Sequence, residues 1–253
     1  MYKRQLKYRL VAGISIVAAI TVAGWAFGPW GASSSRVDDL LVVDSSGTVQ
    51  LVDTASGRTI FEVDDAVVSH DRSSLFSTRP GVGATHIESR DAATGEVTGT
   101  TTVGADLEIR TVSPRAGAIA LAEERPDGLG LYEPIPRERT SITVAYTNES
   151  PSQTFDLEGN YEVETFSLDE SVLYLLEFHP PLDPTYYIVR ELDLATGEVD
   201  GVRTPQVELQ PEMRGIARAQ QVDPEGRLLY TLYSIPSDED PVHDVTCLLY
   251  TSD

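Results

Sequence analysis

Val68-Ser69-His70-Asp71-Arg72-Ser73-Ser74-Leu75-Phe76-Ser77 (VSHDRSSLFS) aligns without a gap with Val112–Leu121 (VSPRAGAIAL), Phe166–Leu175 (FSLDESVLYL) and Val222–Thr231 (VDPEGRLLYT). Each window holds an apolar residue, then Ser or Asp, then a polar turn, then a strand-forming run, which is the pattern of a β-hairpin. The anchors Ser69, Ser113, Ser167 and Asp223 are 44, 54 and 56 residues apart. Propeller blades repeat at about 40 to 50 residues, so this spacing predicts a β-propeller with some long loops.

A second signature falls between the first: Asp53-Thr-Ala-Ser-Gly57-Arg58, Asp91-Ala-Ala-Thr-Gly95-Glu96 and Asp193-Leu-Ala-Thr-Gly197-Glu198. Gly supplies the positive φ that closes a tight turn, and the Asp carboxylate accepts from turn N–H groups. Asp53, Gly57, Asp91, Gly95, Asp193 and Gly197 are therefore assigned as structural turn residues. The third blade lacks this turn and uses Thr147–Pro151 in its place. Two hairpins per blade give an all-β domain over residues 38–246, with about five blades or part-blades visible and the ring truncated past Thr246. The competing architecture is a β-sandwich with recurrent turns.

Together the two signatures resemble the YVTN and TolB-like β-propeller repeats of bacterial envelope proteins, the D-x-x-T-G-E turn carrying most of the likeness. The resemblance covers residues 38–235 and departs from WD40 repeats in having no Trp-Asp pair. It implies a propeller that binds a protein, peptide or glycan as a sensor or scaffold. It is specific to fold and says little about function.

Ahead of the repeats, Leu10–Trp30 is almost continuously apolar and no charged residue occurs from Leu10 to Ser35. About 20 helical residues span a bilayer core, so this run is expected to be one transmembrane helix, with residues 31–37 as a spacer. Lys7 and Arg9 precede the run and Asp38 and Asp39 follow it, which places the N-terminus in the cytoplasm and the repeats outside. The alternative is a cleaved signal peptide ending at Gly31-Ala32, which exports the same domain.

The two ends carry a separate signal. Met1–Gln5 and Cys247–Asp253 resemble translations of a transposon-end adapter used for sequencing libraries, in opposite orientations. On that reading Met1–Gln5 are foreign to the cytoplasmic stub of residues 1–9, and 247–253 should form no specific buried contacts. The chain's one cysteine, Cys247, then offers neither a disulfide nor a thiolate.

Nineteen basic residues against 40 acidic ones give a net charge of -21, and every Asp and Glu lies after Arg36. Nucleic-acid affinity rests on Lys and Arg neutralising phosphates, so a domain this acidic is not expected to bind nucleic acid. No G-x-S-x-G elbow is present, and His70, His86, His179 and His243 lack the paired spacing of a zinc site. Gly81-Val82-Gly83 has neither the third Gly nor the helix of a phosphate loop. Trp25 and Trp30 are the only tryptophans, which argues against a quinone-cofactor propeller. No catalytic residue and no cofactor is assigned.

Asp64-Asp65 and Asp238-Glu239-Asp240 offer hard oxygen ligands for Ca²⁺ but lack the spacing of a calcium loop, so solvated charge is the favoured reading. The most distinctive stretch is His179-Pro-Pro-Leu-Asp183-Pro-Thr-Tyr186-Tyr187, where stiff prolines beside paired aromatics suit a recognition loop. The expectation is a non-catalytic, membrane-anchored propeller. The alternative is a lactonase-like or hydrolase propeller whose acidic residues converge on a metal in the central channel.

Overall fold

The computed structural model describes residues 39–43, 47–104, 106–126, 134–148, 150–202, 216–222, 228–235 and 243–251, the strands beyond 202 as backbone only. Leu10–Trp30 and the spacer lie outside the described residues, as does Asp238–Asp240. Among the described residues no helix is long and apolar enough to cross a membrane.

Among the described residues strand follows strand, and every pairing is antiparallel between sequence neighbours. Residues up to Asp65 and those from Ala66 form two compact units. The first holds a three-stranded sheet of β1 (Asp39–Val43), β2 (Val49–Asp53) and β3 (Arg58–Val63). Within it Thr48 donates to Asp64 at 3.1 Å, so that carboxylate serves the local turn.

In the second unit, β4 (Ala66–Val68), β5 (Ser74–Gly81), β6 (Ala84–Asp91) and β7 (Val97–Val103) make one four-stranded sheet. β8 (Leu107–Val112), β9 (Ala118–Glu123), β10 (Arg139–Tyr146) and β11 (Gln153–Glu158) make the next. The third comprises β12 (Asn160–Phe166), β13 (Val172–His179), β14 (Tyr186–Asp193) and β15 (Val199–Gly201). A three-stranded sheet of β16 (Ile216–Val222), β17 (Leu228–Ile235) and β18 (His243–Thr251) closes the chain.

Consecutive four-stranded sheets pack face to face, each through an apolar layer. Phe76, Ile87 and Val103 of the β4–β7 sheet meet Ile119, Leu121 and Ala145 of the β8–β11 sheet. On the other side of that sheet, Ile142, Val144 and Leu157 meet Tyr161, Val163, Leu173, Leu175 and Leu192 of the β12–β15 sheet. Both faces of β9 and β13 are covered, which is why these strands read as unbroken apolar runs. The first strands are neighbours: β4 contacts β8, and β8 contacts β12. Meander sheets packed in chain order, first strand beside first strand, are propeller blades, and the expected sandwich alternative does not fit.

A threonine fastens each of two junctions between blades. Thr85, second residue of β6, accepts from the Leu107 amide at 3.1 Å, and its own amide donates to Gly104. Thr140, second residue of β10, accepts from the Tyr161 amide at 2.9 Å and donates to the Gly159 carbonyl. Both are buried, so these bonds satisfy backbone groups that water does not reach.

The expectation for the C-terminal end concerned buried contacts, and the side chains there lie outside the described residues. Residues 247–251 pair in register with β17, with Cys247 opposite Thr231 and Thr251 opposite Leu228. A β-prone run such as Leu248-Leu249-Tyr250 adds to an open strand edge whatever its origin, because backbone groups supply the pairing.

Candidate functional site

Blade topology gives the sheets two ends, and the repeated signatures occupy one of them. Each quoted window from 68 to 175 is the turn between a blade's first and second strands. Ser69 donates to Asp71 at 2.7 Å and accepts from the Ser74 amide at 2.9 Å, while Asp71 accepts from the Ser73 amide. Ser167, Asp169, Ser171 and Val172 repeat the arrangement at nearly the same distances. In the middle blade Arg115 stands where the others have Asp, and the carboxylate comes from the next blade. Glu170 accepts from Ser113 at 2.7 Å and from the Gly117 amide at 3.2 Å. A Cβ on Gly117 would lie 2.4 Å from Glu170 Oε2, so a side chain there would displace the Glu170 carboxylate. The residue after the Asp position turns left-handed in all three, at Arg72, Ala116 and Glu170 (φ 60°, 56° and 62°).

The Asp91 and Asp193 turns join third to fourth strands beside these windows, and the Asp53 turn joins β2 to β3 within the first unit. Asp91 accepts from the Ala93 and Thr94 amides, Asp193 from the Ala195 and Thr196 amides, and Asp53 from the Ala55 amide in the first unit. Gly57, Gly95 and Gly197 take φ of 68°, 75° and 74°, and each amide donates back to its Asp carbonyl. In two blades the turns are tied together, Ala92 to the Ser73 carbonyl and Leu194 to the Ser171 carbonyl. Thr147 does the same for the middle blade by donating to the Gly117 carbonyl. These six residues therefore build the scaffold.

This end is expected to lose stability in acid. Bonds from Ser167 and Ser171 hold Asp169 below the ordinary aspartate value, and at Asp71 bonds from Ser69 and Ser73 outweigh an opposing burial effect. Depressed folded-state values mean stability that is complete above the ordinary 3.8 and drains away as pH falls through the lower folded values. Urea midpoints measured downward from pH 5 should fall in that window, and less so in an Asp71→Asn, Asp169→Asn variant. An equal fall in that variant would show that other groups drive acid unfolding.

The other end carries the second-to-third strand loops and the crossings between blades, and the chemically dense residues gather there. Asn160, the fully buried first residue of β12, donates to the Ile135 carbonyl at 2.7 Å and the Pro181 carbonyl at 2.9 Å. Its side-chain oxygen accepts from Arg137 Nε at 3.2 Å, and the Arg137 amide donates to Pro181. One asparagine and one arginine thus lock the β13–β14 loop to the segment that enters β10 in the neighbouring blade. Arg137 also donates to the Tyr161 carbonyl, and Glu162 accepts from Arg137 at 2.7 Å and Arg125 at 3.0 Å.

Beside this lock lies a second cluster on β12 to β14. Glu177 accepts from Arg190 Nε at 2.5 Å and Tyr161 Oη at 3.3 Å, and His179 Nε2 lies 3.3 Å from it. Burial pushes Glu177 up, but the bond and charge of Arg190, with His179 adding to them, hold it below the usual carboxylate range. Burial first, then the Glu177 charge, raises the Tyr161 phenol to about 12, so it acts as a hydrogen-bond donor and not as a base.

Of the expected recognition loop, His179 stacks on Tyr186 with centroids 5.3 Å apart, and Asp183 is exposed. Tyr187 is 2% exposed and packs on Phe178, so it belongs to the core and not to a recognition surface. Leu182, at the loop tip, is 56% exposed. Val82, in the β5–β6 tip at the same end, is fully exposed. Asn160, Glu162, Arg125, Arg137, Glu177 and Arg190 were not singled out in the sequence. Among the described residues no group of three or more His, Cys, Asp or Glu side chains is placed to hold a metal ion.

No protein-family model matches the chain, and no curated protein sequence matches it. Among solved structures it is similar to hydrazine synthase of Kuenenia stuttgartiensis, with a TM-score of 0.48 and 17% identity over 81% of this chain and 55% of that one. It is similar to TolB of Acinetobacter baumannii at TM-score 0.45 and 17% identity, over 85% of this chain and 53% of that one. For the β-propeller domain of Myceliophteria thermophila Cps50 (Swd1) the figures are 0.45, 11%, 83% and 68%. The chain spans about half the length of the first two. These likenesses concern the fold alone, and the propeller assignment rests on the sheet order and packing above.

Proposed function

We propose that this chain is a membrane-anchored propeller that binds a protein or peptide outside the membrane through the loop end of its blades, without catalysing a reaction. One observation carries the reading. The β13–β14 loop presents Leu182, Asp183 and the stacked His179–Tyr186 pair on a base fastened by Asn160 and Arg137, whose side chains are committed to holding loop carbonyls. An exposed leucine and a half-buried aromatic pair on a fixed base lose little conformational entropy on binding, which favours recognition. The carboxylates at this end argue against the metal-dependent hydrolase. Glu162 is shared by two arginines and Glu177 by Arg190 and Tyr161, so each is already engaged.

The surface is tested by immobilising the domain and comparing capture from membrane extracts by wild type, Leu182→Asp, and a scaffold-end control, Ser56→Ala. The reading expects a partner lost with Leu182→Asp and kept by the control. Equal capture by all three would overturn it. The anchor is tested separately: a reporter fused after residue 40 should be exported and stay in the membrane fraction. Release of the mature domain would instead establish a cleaved signal.

A further inference from the structure

β7 is the last strand of its sheet, and among the described residues it pairs with β6 alone. An unpaired edge offers a row of backbone N–H and C=O groups, and folds commonly guard such edges with charge. The last strands of the other sheets follow that rule: β3 carries Glu62, β11 Asp156 and Glu158, β15 Asp200 and β18 Asp244. β7 (Val-Thr-Gly-Thr-Thr-Thr-Val) has no charged residue, in a chain of net charge -21. Beside it on β6, Glu88 stands opposite Thr100, and Arg79 and Arg90 hold that carboxylate at 3.1 Å and 2.5 Å.

The sequence of this edge matches itself. A bulge opposite Ser89 and Arg90 sets Val97 out of line, and from Thr98 onward exposed and covered residues alternate. Turned end for end about Thr100, Thr98-Gly-Thr-Thr-Thr102 differs only in where the glycine falls. Gly99 is not required by its own sheet, since its φ is not left-handed and an added Cβ would meet Ser89 at an ordinary 3.9 Å. Glycine inside a strand weakens it and often marks the approach of another backbone.

We propose that β7 is a self-association edge, at which a second copy of this chain adds its own β7 antiparallel about a two-fold axis through Thr100. Thr98 then faces Thr102 of the second copy, Thr100 faces its equivalent, and Thr101 of the second copy lies across from Gly99. Opposed threonines pair favourably across strands, whereas the same pairing at β11 or β15 would bring together carboxylates of two acidic chains. So short an edge makes a small contact, and the expected product is a reversible dimer. The edge is separate from the β13–β14 loop, and neither reading depends on the other.

The test is cysteine pairing in the full chain in detergent, in a Cys247→Ser background, under mild oxidation. Residues directly opposite in an antiparallel pair lie about 4.5–5.5 Å apart at Cα, within disulfide reach. Thr100→Cys should therefore cross-link to itself. Thr98→Cys alone and Thr102→Cys alone should do so roughly tenfold more slowly, and the two mixed should cross-link to each other. Uniform rates at the three positions would show random collision and overturn the proposal. Sedimentation of the chain without added cysteines gives a second readout. Its concentration-dependent dimer should weaken at least about tenfold in Thr100→Lys, where like charges stand opposed, and recover when Thr100→Lys is mixed with Thr100→Glu. A chain monomeric at every concentration would overturn the proposal and leave the edge to a different strand. A dimer indifferent to Thr100→Lys would overturn it and move association to another surface.

Discussion

Replacing Arg137 with alanine is expected to lower the unfolding free energy by about 3 kcal/mol or more, as breaking a buried ion pair does. The substitution strips Glu162 of one of its two arginines and removes donors from the Tyr161 carbonyl and the Asn160 side chain. Asn160 would keep its bonds to Ile135 and Pro181 but lose the cation that fixes its amide orientation. Arg137→Lys should recover only part of the loss, because an ammonium cannot satisfy Asn160, Tyr161 and Glu162 in one plane. Urea denaturation measures both variants. A loss under about 1 kcal/mol for the alanine variant would place Arg137 among ordinary surface ion pairs.

Leu175→Ala is expected to cost about 2–5 kcal/mol, the range for truncating a fully buried leucine. Leu175 is inaccessible to solvent and lies in the layer between the β8–β11 and β12–β15 sheets, where Ile142, Val144 and Val163 surround the site. Neighbours on two rigid sheets cannot collapse into the gap, so the cost should fall towards the upper part of that range. Leu182→Ala is the matched control: the same chemistry at an exposed loop tip should stay within about 0.5 kcal/mol. Similar values for the two leucines would mean that the two sheets do not pack face to face.

The blades were legible because their turns are local. Ser69-x-Asp71 and Asp91-x-x-Thr94-Gly95 close their bonds within a few residues, so the residues needed for each turn stand together in the chain. The middle blade shows where that legibility ends. Its Arg115 looks like a defect until Glu170, 57 residues from Ser113, supplies the carboxylate. The Thr85 and Thr140 clasps had a faint signature, Thr85-His-Ile87 and Thr140-Ser-Ile142, but each partner lies in the next blade. The loop end was illegible for the same reason. Asn160 bonds partners 21 and 25 residues away, and Arg137 and Arg125 reach Glu162 from a different sheet. Tyr187 was misplaced because Tyr186 and Tyr187 look equivalent in sequence, whereas strand alternation sends one to the loop and the other into the core. The N-terminal apolar run remains an expectation from hydropathy and flanking charge.

The central claim is that successive blades stand side by side in one fixed order, so that Glu170 of the β12–β15 sheet completes the Ser113 turn of the β8–β11 sheet. A double-mutant cycle between Ser113→Ala and Glu170→Ala tests it directly by urea denaturation. Hydroxyl-to-carboxylate bonds are worth about 1.5–3 kcal/mol, so the cycle should return a coupling of at least about 1 kcal/mol between residues in different blades. Additive losses, agreeing within about 0.5 kcal/mol, would mean that the two turns do not meet and would contradict the propeller order.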